Sequence, residues 1–286
     1  MRFVSFRKNG EPGLAIESHG EVRGRVKSEA DHPVDLGVLL GGEALDVVGR
    51  SLKGAPLLDV KEIVYEPPFA NPSKIICVGL NYADHTKESP YEQPDYPTLF
   101  PRFASSLIGN GQPLVRPPNC EGLDFEGEMV AVIGRGGRHI SRADALNHVA
   151  GYSIFNDGSV REYQFKAPQW TVGKNFDRTG AFGPYFVTAD ETPAGGKGLR
   201  LQTRLNGAVV QSASTSDMLF DVETLIVIIS EAITLNPGDA LVTGTPAGIG
   251  WARKPRLLMH QGDVCEVEIE GLGVLRNPVV DEKPVG

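Results

Sequence analysis

Glycine and proline interrupt this chain so often that long helices have little room. The 286 residues include 34 Gly and 21 Pro, and both residue types mark turns more often than helix interiors. Short apolar runs bounded by such residues predict strands, whereas stretches with helical spacing are few. The pattern therefore predicts an α+β fold that is mainly β, and it argues against alternating βαβ units.

The predicted elements form a small N-terminal group and a larger group after residue 74. Asn206-Gly207 between two alternating runs predicts a hairpin, and helical spacing predicts helices at 141–149 and 221–235 and a weaker one between Val34 and Val48. The other predicted strands are Arg2–Phe6, Leu14–Glu17, Ile75–Val78, Glu128–Ile133, 151–157, Ala240–Thr243 and, as one more strand in the tail before Pro278, Asp263–Glu268. A proline-rich stretch at 65–74 separates the groups, which predicts a small domain at 1–68 and a larger one at 69–286.

Net charge and cysteine usage exclude several classes of protein. A formal charge of −8 disfavours nucleic-acid binding, which requires clustered Lys and Arg. The longest apolar run, 225–229, is far too short to cross a membrane, and the first residues do not resemble a signal peptide. Three cysteines without CxxC spacing are typical of a reducing compartment. The sequence predicts a cytoplasmic protein.

Alternate acids precede an apolar strand in the segment GLDFEGEMVAVIG. Asp124, Glu126 and Glu128 would share one face of an extended segment. If they are buried, their repulsion calls for a divalent cation and for another acid, and Asp157 at the end of a second apolar strand is a candidate. All-oxygen ligands favour Mg²⁺, Mn²⁺ or Ca²⁺ over zinc. A solvated strand face and a turn residue before Gly158 remain the alternatives.

A second candidate site follows the predicted strand 75–78. His85 and Glu88 are three residues apart, so one helical turn would place them on the same side. A carboxylate that orients an imidazole is a common arrangement for proton transfer near neutral pH. An exposed histidine in a polar loop is the alternative.

Nucleotide-binding motifs are not satisfied. VGKN at 172–175 lacks the first glycine and the Ser or Thr of a phosphate loop, and GTPAGIG at 244–250 does not match GxGxxG. The second segment still predicts a tight turn, whose backbone N–H groups could contact an anion.

Taken together and in order, seven segments resemble the fumarylacetoacetate hydrolase family. The segments read KIICVGLNYADHTKE, SSLIGNGQPL, LDFEGEMVAVIG, GYSIFNDGSVREYQ, QWTVGKNFDRTGAFGP, TSDMLFDVETLIVIIS and PGDALVTGTPAGIG, and the resemblance extends over about residues 70 to 280. The resemblance implies a mixed β-sandwich roll after a small N-terminal α+β unit, and a homodimer. It also implies that Glu126, Glu128 and Asp157, but not Asp124, ligate Mg²⁺ or Mn²⁺.

The resemblance assigns roles to further residues. His85 and Glu88 match a pair that activates water, and Lys174 matches a lysine that contacts the substrate or its developing charge. Substrate contacts are implied for Arg161, Gln164, Thr245 and Arg102. At Arg102 and at Gly180-Ala181-Phe182 the chain departs from the usual Lys-Pro and Pro-Leu segments, so the identity of the substrate stays open.

The implied activity is metal-dependent cleavage of a C–C bond in a small 2,4-dioxo acid such as an acylpyruvate. His85 would activate water, and a metal-stabilised enolate would leave. Related chemistry on a 2-oxo acid, by an isomerase, a decarboxylase or a hydratase/lyase, is the alternative. A non-catalytic protein that binds a 2-oxo acid or a metal is the alternative from another class.

Overall fold

The computed structural model describes residues 1–31, 36–40, 43–88 and 92–283, and it confirms a mainly-β fold with a few helices. The helices are α1 Leu36–Leu39, α2 Glu43–Lys53, α3 Ala83–Glu88, α4 Arg161–Gln164, α5 Thr171–Lys174 and α6 Val222–Ala232. The strands are β1 Arg2–Lys8, β2 Glu11–Ser18, β3 Glu21–Val26, β4 Val64–Tyr65, β5 Ile75–Gly79, β6 Thr98–Arg102, β7 Leu107–Ile108, β8 Leu114–Arg116, β9 Gly127–Ile133, β10 Val149–Asp157, β11 Gly180–Thr188, β12 Arg200–Leu205, β13 Ala208–Ser214, β14 Ala240–Val242, β15 Val264–Ile269 and β16 Gly273–Asp281.

Two sheets carry these strands. The larger has the order β3-β2-β1-β11-β10-β9-β14-β5-β6, with β4 beside β1 and β7 beside β11. The smaller has the order β13-β12-β15-β16-β8. Most neighbours are antiparallel, although β14 runs parallel to β5. The strand order places β9 and β10 at the centre of the larger sheet.

Both faces of the central strand β9 are buried. Met129, Ala131 and Ile133 point into a core shared with apolar residues of the smaller sheet and α6. Val130 and Val132 point the other way, into a core that α1 and α2 help to form. Side chains alternate along a strand, so burial on both faces explains why β9 is continuously apolar. The acids at its beginning are therefore buried as well.

The N-terminal strands join the larger sheet. β1 pairs with β11, with Arg2 opposite Val187 and Phe3 opposite Phe186. Phe3 is fully buried and packs in the same core as Phe186. The proposed domain boundary at residue 68 stays a prediction. Of the weak helical pattern between Val34 and Val48, the described residues form α1 and the beginning of α2, whereas Val34 lies outside them.

One predicted element is wrong, and one strand near the end of the chain was not predicted. The segment 141–149 contains only a 3₁₀ turn, Ala145–His148, because β10 already begins at Val149, where pairing with Ile133 overrides local helical preference. The strand 264–269 is not the last, since β16 follows it and includes Pro278. Pro278 is tolerated because pairing with β8 begins only at Val279.

Among the described residues, no helix is long and apolar enough to cross a membrane.

Candidate active site

Antiparallel pairing brings three acids together from two segments. The beginning of β9 lies beside the end of β10, with Glu128 opposite Phe155. The Asp157 amide donates to the Glu126 carbonyl at 2.9 Å, which continues the pairing beyond β9. Oxygens of Glu126, Glu128 and Asp157 lie within 4.8 Å of one another, and all three side chains are buried. The two segments that sequence patterns marked as acid-bearing thus meet at one point.

Three buried cations surround these acids. Lys174 Nζ donates to Glu126 Oε2 at 2.6 Å and to Asp157 Oδ2 at 2.8 Å. Arg161 donates to Glu126 Oε1 at 2.6 Å, and Arg102 forms an ion pair with Asp157. With Asp124, which also pairs with Arg161, four carboxylates face three cations. The cluster retains one formal negative charge.

Glu128 is the carboxyl group of the cluster that lacks a cationic partner among the described residues. Its Oε2 accepts the Gly244 amide at 2.6 Å. Burial raises the pKa of Glu128 well above its usual value, and Asp157 and Glu126 add to the effect. Burial also opposes ionisation of Glu126, but Lys174 and Arg161 outweigh it and lower the pKa of that carboxyl.

A divalent cation suits this arrangement. The three carboxylates provide an oxygen-only donor set, which Mg²⁺, Mn²⁺ and Ca²⁺ prefer. A cation beside Glu128 would stabilise the one carboxylate without an ionic partner. It would also change the net charge of the cluster from one negative to one positive, which favours an anionic substrate. The residues therefore fit a dication, although the structure does not select among these ions.

The predicted acid–base pair lies on the short helix α3. His85 Nδ1 is 3.1 Å from Glu88 Oε1. Because a carboxylate only accepts hydrogen bonds, the contact assigns the proton of neutral His85 to Nδ1 and leaves Nε2 as the basic atom. His85 is buried, with only 8% of its surface exposed, so its ring is shielded from bulk water.

A pocket of about 540 Å³, its opening to solvent included, unites the acids with this pair. Its polar wall contains His85, Glu88, Glu126, Glu128, Arg161, Gln164, Lys174 and Thr245. Eight of the ten residues predicted for the site line this pocket. Asp157 lies behind the wall and contacts it through an ion pair with Lys174. Arg102 also lies behind the wall and forms an ion pair with Asp157.

The sequence did not predict the apolar wall of the pocket. It consists mainly of Phe100, Phe165, Trp170, Ile249 and Trp251. Phe165 and Trp251 pack together with their ring centroids 5.9 Å apart. The sequence signal that could have indicated this wall is adjacency to predicted site residues. Phe165 follows Gln164, and Trp251 follows the GTPAGIG segment.

All four predicted substrate contacts have partners within the protein. Arg161 Nη1 donates to Gln164 Oε1 at 2.7 Å, besides the bonds of Arg161 to Glu126 and Asp124. Arg102 also donates to Thr179 Oγ1 at 2.8 Å and to Ser106 Oγ at 3.2 Å, on the side of Asp157 away from the pocket. The Thr245 hydroxyl donates to the Gly127 carbonyl at 3.0 Å and accepts from Gln211. Substrate contact by any of these side chains stays a prediction, and for Thr245 it would require the hydroxyl to exchange partners.

Comparisons with known proteins identify this arrangement. A family model described as fumarylacetoacetate (FAA) hydrolase C-terminal matches residues 74–280. The human protein named oxaloacetate tautomerase FAHD2A, mitochondrial, is 42% identical over 98% of this chain and 92% of its own length.

Two solved structures match almost the whole chain. A fumarylacetoacetate hydrolase from Exiguobacterium antarcticum has a TM-score of 0.82 at 35% identity and covers 99% of this chain and all of its own. A 2-hydroxyhepta-2,4-diene-1,7-dioate isomerase from Mycobacterium marinum has a TM-score of 0.77 at 31% identity, with the same coverage. The fold, the buried acids and these matches agree: the chain belongs to the fumarylacetoacetate hydrolase family of enzymes.

Proposed function

We propose that this enzyme uses a divalent cation to interconvert the keto and enol forms of a small 2-oxo acid of the oxaloacetate class. The observation that carries the proposal is the pocket lined by His85, Glu126 and Glu128, with Asp157 clustered behind the two glutamates. Tautomerisation needs one group that moves a proton and a second centre that stabilises the negative charge on the 2-oxo oxygen. The similarity to a relative named as an oxaloacetate tautomerase supports the choice of substrate.

The three acids would hold Mg²⁺ or Mn²⁺. A cation bound there would supply Lewis-acid polarisation of the 2-oxo group. The other steps belong to side chains of the chain. His85 would take the proton from the carbon next to the 2-oxo group through Nε2, because Glu88 fixes its Nδ1. Arg161 and Gln164 would orient the carboxylates of the substrate, since both line the pocket.

Lys174 would act as a fixed positive charge. Burial opposes its charged form, but Asp157 and Glu126 outweigh burial and raise the pKa of this ammonium. It would therefore attract an anionic substrate rather than accept a proton. The aromatic wall around Trp170 and Trp251 would limit the access of water, which strengthens each of these interactions.

Hydrolysis of a C–C bond in a 2,4-dioxo acid is a second candidate. The His85–Glu88 pair suits this reaction as well, because an oriented imidazole can activate water as readily as it can remove a proton from carbon. Lys174 would then stabilise the oxyanion, and Thr245 would contribute to substrate binding. The two candidates require the same cation and the same base, so the products must distinguish them.

The test compares two substrates with Mg²⁺, with Mn²⁺ and with EDTA. A tautomerase should accelerate conversion of enol oxaloacetate to the keto form, followed by ultraviolet absorbance, without releasing pyruvate. A hydrolase should release pyruvate and a carboxylic acid from an acylpyruvate in equal amounts. Release of CO₂ would indicate a decarboxylase. The proposal is wrong if conversion of oxaloacetate does not depend on the cation, and the second candidate is wrong if acylpyruvate is not cleaved.

The predicted homodimer and the cytoplasmic location remain predictions, and sedimentation of the purified chain would test the first.

A further inference from the structure

The turn at 248–251 binds a carboxylate of α3. Gly248 donates its backbone N–H to both oxygens of Glu88 at 3.0 Å, and Ile249 donates to Glu88 Oε1 at 3.4 Å. Glu88 therefore makes contacts on two sides, with the ring of His85 and with this turn. The position of α3 depends on whether the turn presents its N–H groups.

The next two N–H groups of the same turn bind a second carboxylate. Gly250 donates to Asp124 Oδ1 at 2.7 Å, and Trp251 donates to Asp124 Oδ2 at 3.1 Å. Asp124 also accepts from Arg161 Nε at 2.8 Å and is fully buried. Four consecutive amides thus divide into two pairs, one on Asp124 and one on Glu88.

Local sequence makes this close approach possible. A Cβ at Gly250 would lie 2.7 Å from Asp124 Oδ1 and 1.9 Å from the Leu257 carbonyl, so only glycine lets the backbone come this near. On the opposite side, Arg253 Nε donates to the Gly248 carbonyl at 3.2 Å. The turn is therefore fixed by groups that remain in place whatever α3 does.

Burial distinguishes the two carboxylates. Asp124 has no exposed surface, whereas the side chain of Glu88 is 23% exposed. The helix α3 has six residues, too few to be stable without tertiary contacts. We infer that Asp124 is a positioning residue, which holds the turn in the conformation that receives Glu88 and thereby places His85 over the pocket. Asp124 acts on His85 through the turn and Glu88, without touching the reacting atoms.

The geometric part of this inference is independent of the reaction, whereas its kinetic consequence rests on the proposed role of His85. Hydrogen exchange of the backbone amides tests the geometry. In Glu88→Gln, exchange at Gly248 and Ile249 should become about tenfold faster, because a neutral amide with one acceptor oxygen replaces a charged acceptor with two. Gly250 and Trp251 should stay protected. Unchanged exchange at 248–249 would overturn the inference, even if the enzyme proved inactive on every substrate.

Asp124→Asn tests the coupling. It should accelerate exchange along the turn and along α3, and it should lower kcat/KM roughly tenfold. Asp239→Asn is a matched control, because Asp239 is equally buried and accepts the amides of Asn236 and Lys74 in a turn outside the pocket. The control should leave exchange in α3 unchanged.

A double-mutant cycle separates this route from an effect through Arg161. If Asp124 acts through Glu88, Asp124→Asn should change kcat/KM little in the Glu88→Gln background. A full tenfold effect of Asp124→Asn in that background would contradict the inference. Should Asp124→Asn fail to fold, the exchange result for Glu88→Gln alone decides the matter.

Discussion

His85 Nδ1 lies 3.1 Å from Glu88 Oε1, and both side chains line the pocket that contains the buried acids. This contact orients the ring and predicts that Nε2 carries out the proton transfer. We expect His85→Ala to lower kcat by about 10²–10⁴-fold, the usual contribution of a general base. Affinity for Mg²⁺ should stay within about twofold of the wild type, because His85 is not among the three clustered acids. Calorimetric titration of Mg²⁺ beside steady-state kinetics would check both, and near-wild-type turnover would remove His85 from the reaction.

The position of Glu128 leads to a prediction about how a divalent cation changes the thermal stability of the protein. It is the clustered acid without an ion pair among the described residues, so Glu128→Gln should remove repulsion from the metal-free protein while keeping the bond from the Gly244 amide. The metal-free variant should unfold at a temperature equal to or above that of the wild type. We expect Mg²⁺ to increase the Tm of the wild type, and this increase should largely disappear in the variant.

Glu268→Gln provides the control for that experiment. Glu268 pairs with Arg204 on the smaller sheet, away from the pocket, so its replacement should preserve the increase in Tm. If Mg²⁺ still stabilises Glu128→Gln as strongly as the wild type, the three acids do not form the metal site.

The sequence was sufficient to predict the strands that carry the acids, because each strand is a short apolar run bounded by turns. It could not determine their pairing. That Glu126 meets Asp157 depends on the register between β9 and β10, which long-range packing sets. The resemblance to a known family supplied the missing pairing. The helix predicted at 141–149 failed for the same reason, since sheet pairing at Val149 overrides a local pattern.

Side-chain direction was the least predictable property. Arg102 ends β6 near the site, and the resemblance to the family implied that it contacts the substrate. Its actual position depends on Thr179 and on the bare backbone of Gly180, which leaves space for the guanidinium behind Asp157. Asp124 similarly looked like a third acid of an alternating series, but it binds the turn at 250–251. Both outcomes depend on contacts with distant segments.

Arg102 provides a stability prediction. Arg102→Met would leave the buried carboxylate of Asp157 with Lys174 as its one remaining ionic partner among the described residues. Removing one partner of a buried ion pair typically costs about 3–5 kcal/mol in the free energy of unfolding. Arg102→Lys should lower the free energy of unfolding less, because it keeps the positive charge. Some loss should remain, because a lysine cannot keep the bonds to both Thr179 and Ser106.

The matched control for Arg102 is Arg50→Met. Arg50 pairs with Asp46 on the surface of α2, where both side chains are more than half exposed, so the loss should stay below about 1 kcal/mol. Urea unfolding of metal-free protein would measure all three variants. Equal losses for Arg102→Met and Arg50→Met would show that the Arg102–Asp157 pair does not stabilise the fold.

The lowered pKa of Asp221 leads us to expect that the free energy of unfolding depends on pH. Its carboxylate caps α6 and accepts the Thr224 amide at 2.9 Å. Partial burial opposes ionisation, but the bonds from Thr224 and the ion pair with Lys197 outweigh it and lower the pKa of Asp221 to about 2. Because the folded-state pKa lies below the ordinary value of 3.8, the ionised cap stabilises the fold fully above about pH 4. This contribution is lost as pH falls towards 2.

We therefore expect Asp221→Ala to lower the free energy of unfolding by about 1 kcal/mol at pH 7, the usual contribution of an N-terminal cap. The difference from the wild type should shrink as pH falls from about 4 to about 2. Asp221→Asn is the informative comparison, because an amide oxygen can still accept from Thr224 but cannot titrate. Its stability relative to the wild type should improve over the same pH interval in urea unfolding experiments. A difference between Asp221→Asn and the wild type that stays constant from pH 7 to pH 3 would show that the charge of Asp221 contributes nothing to the cap.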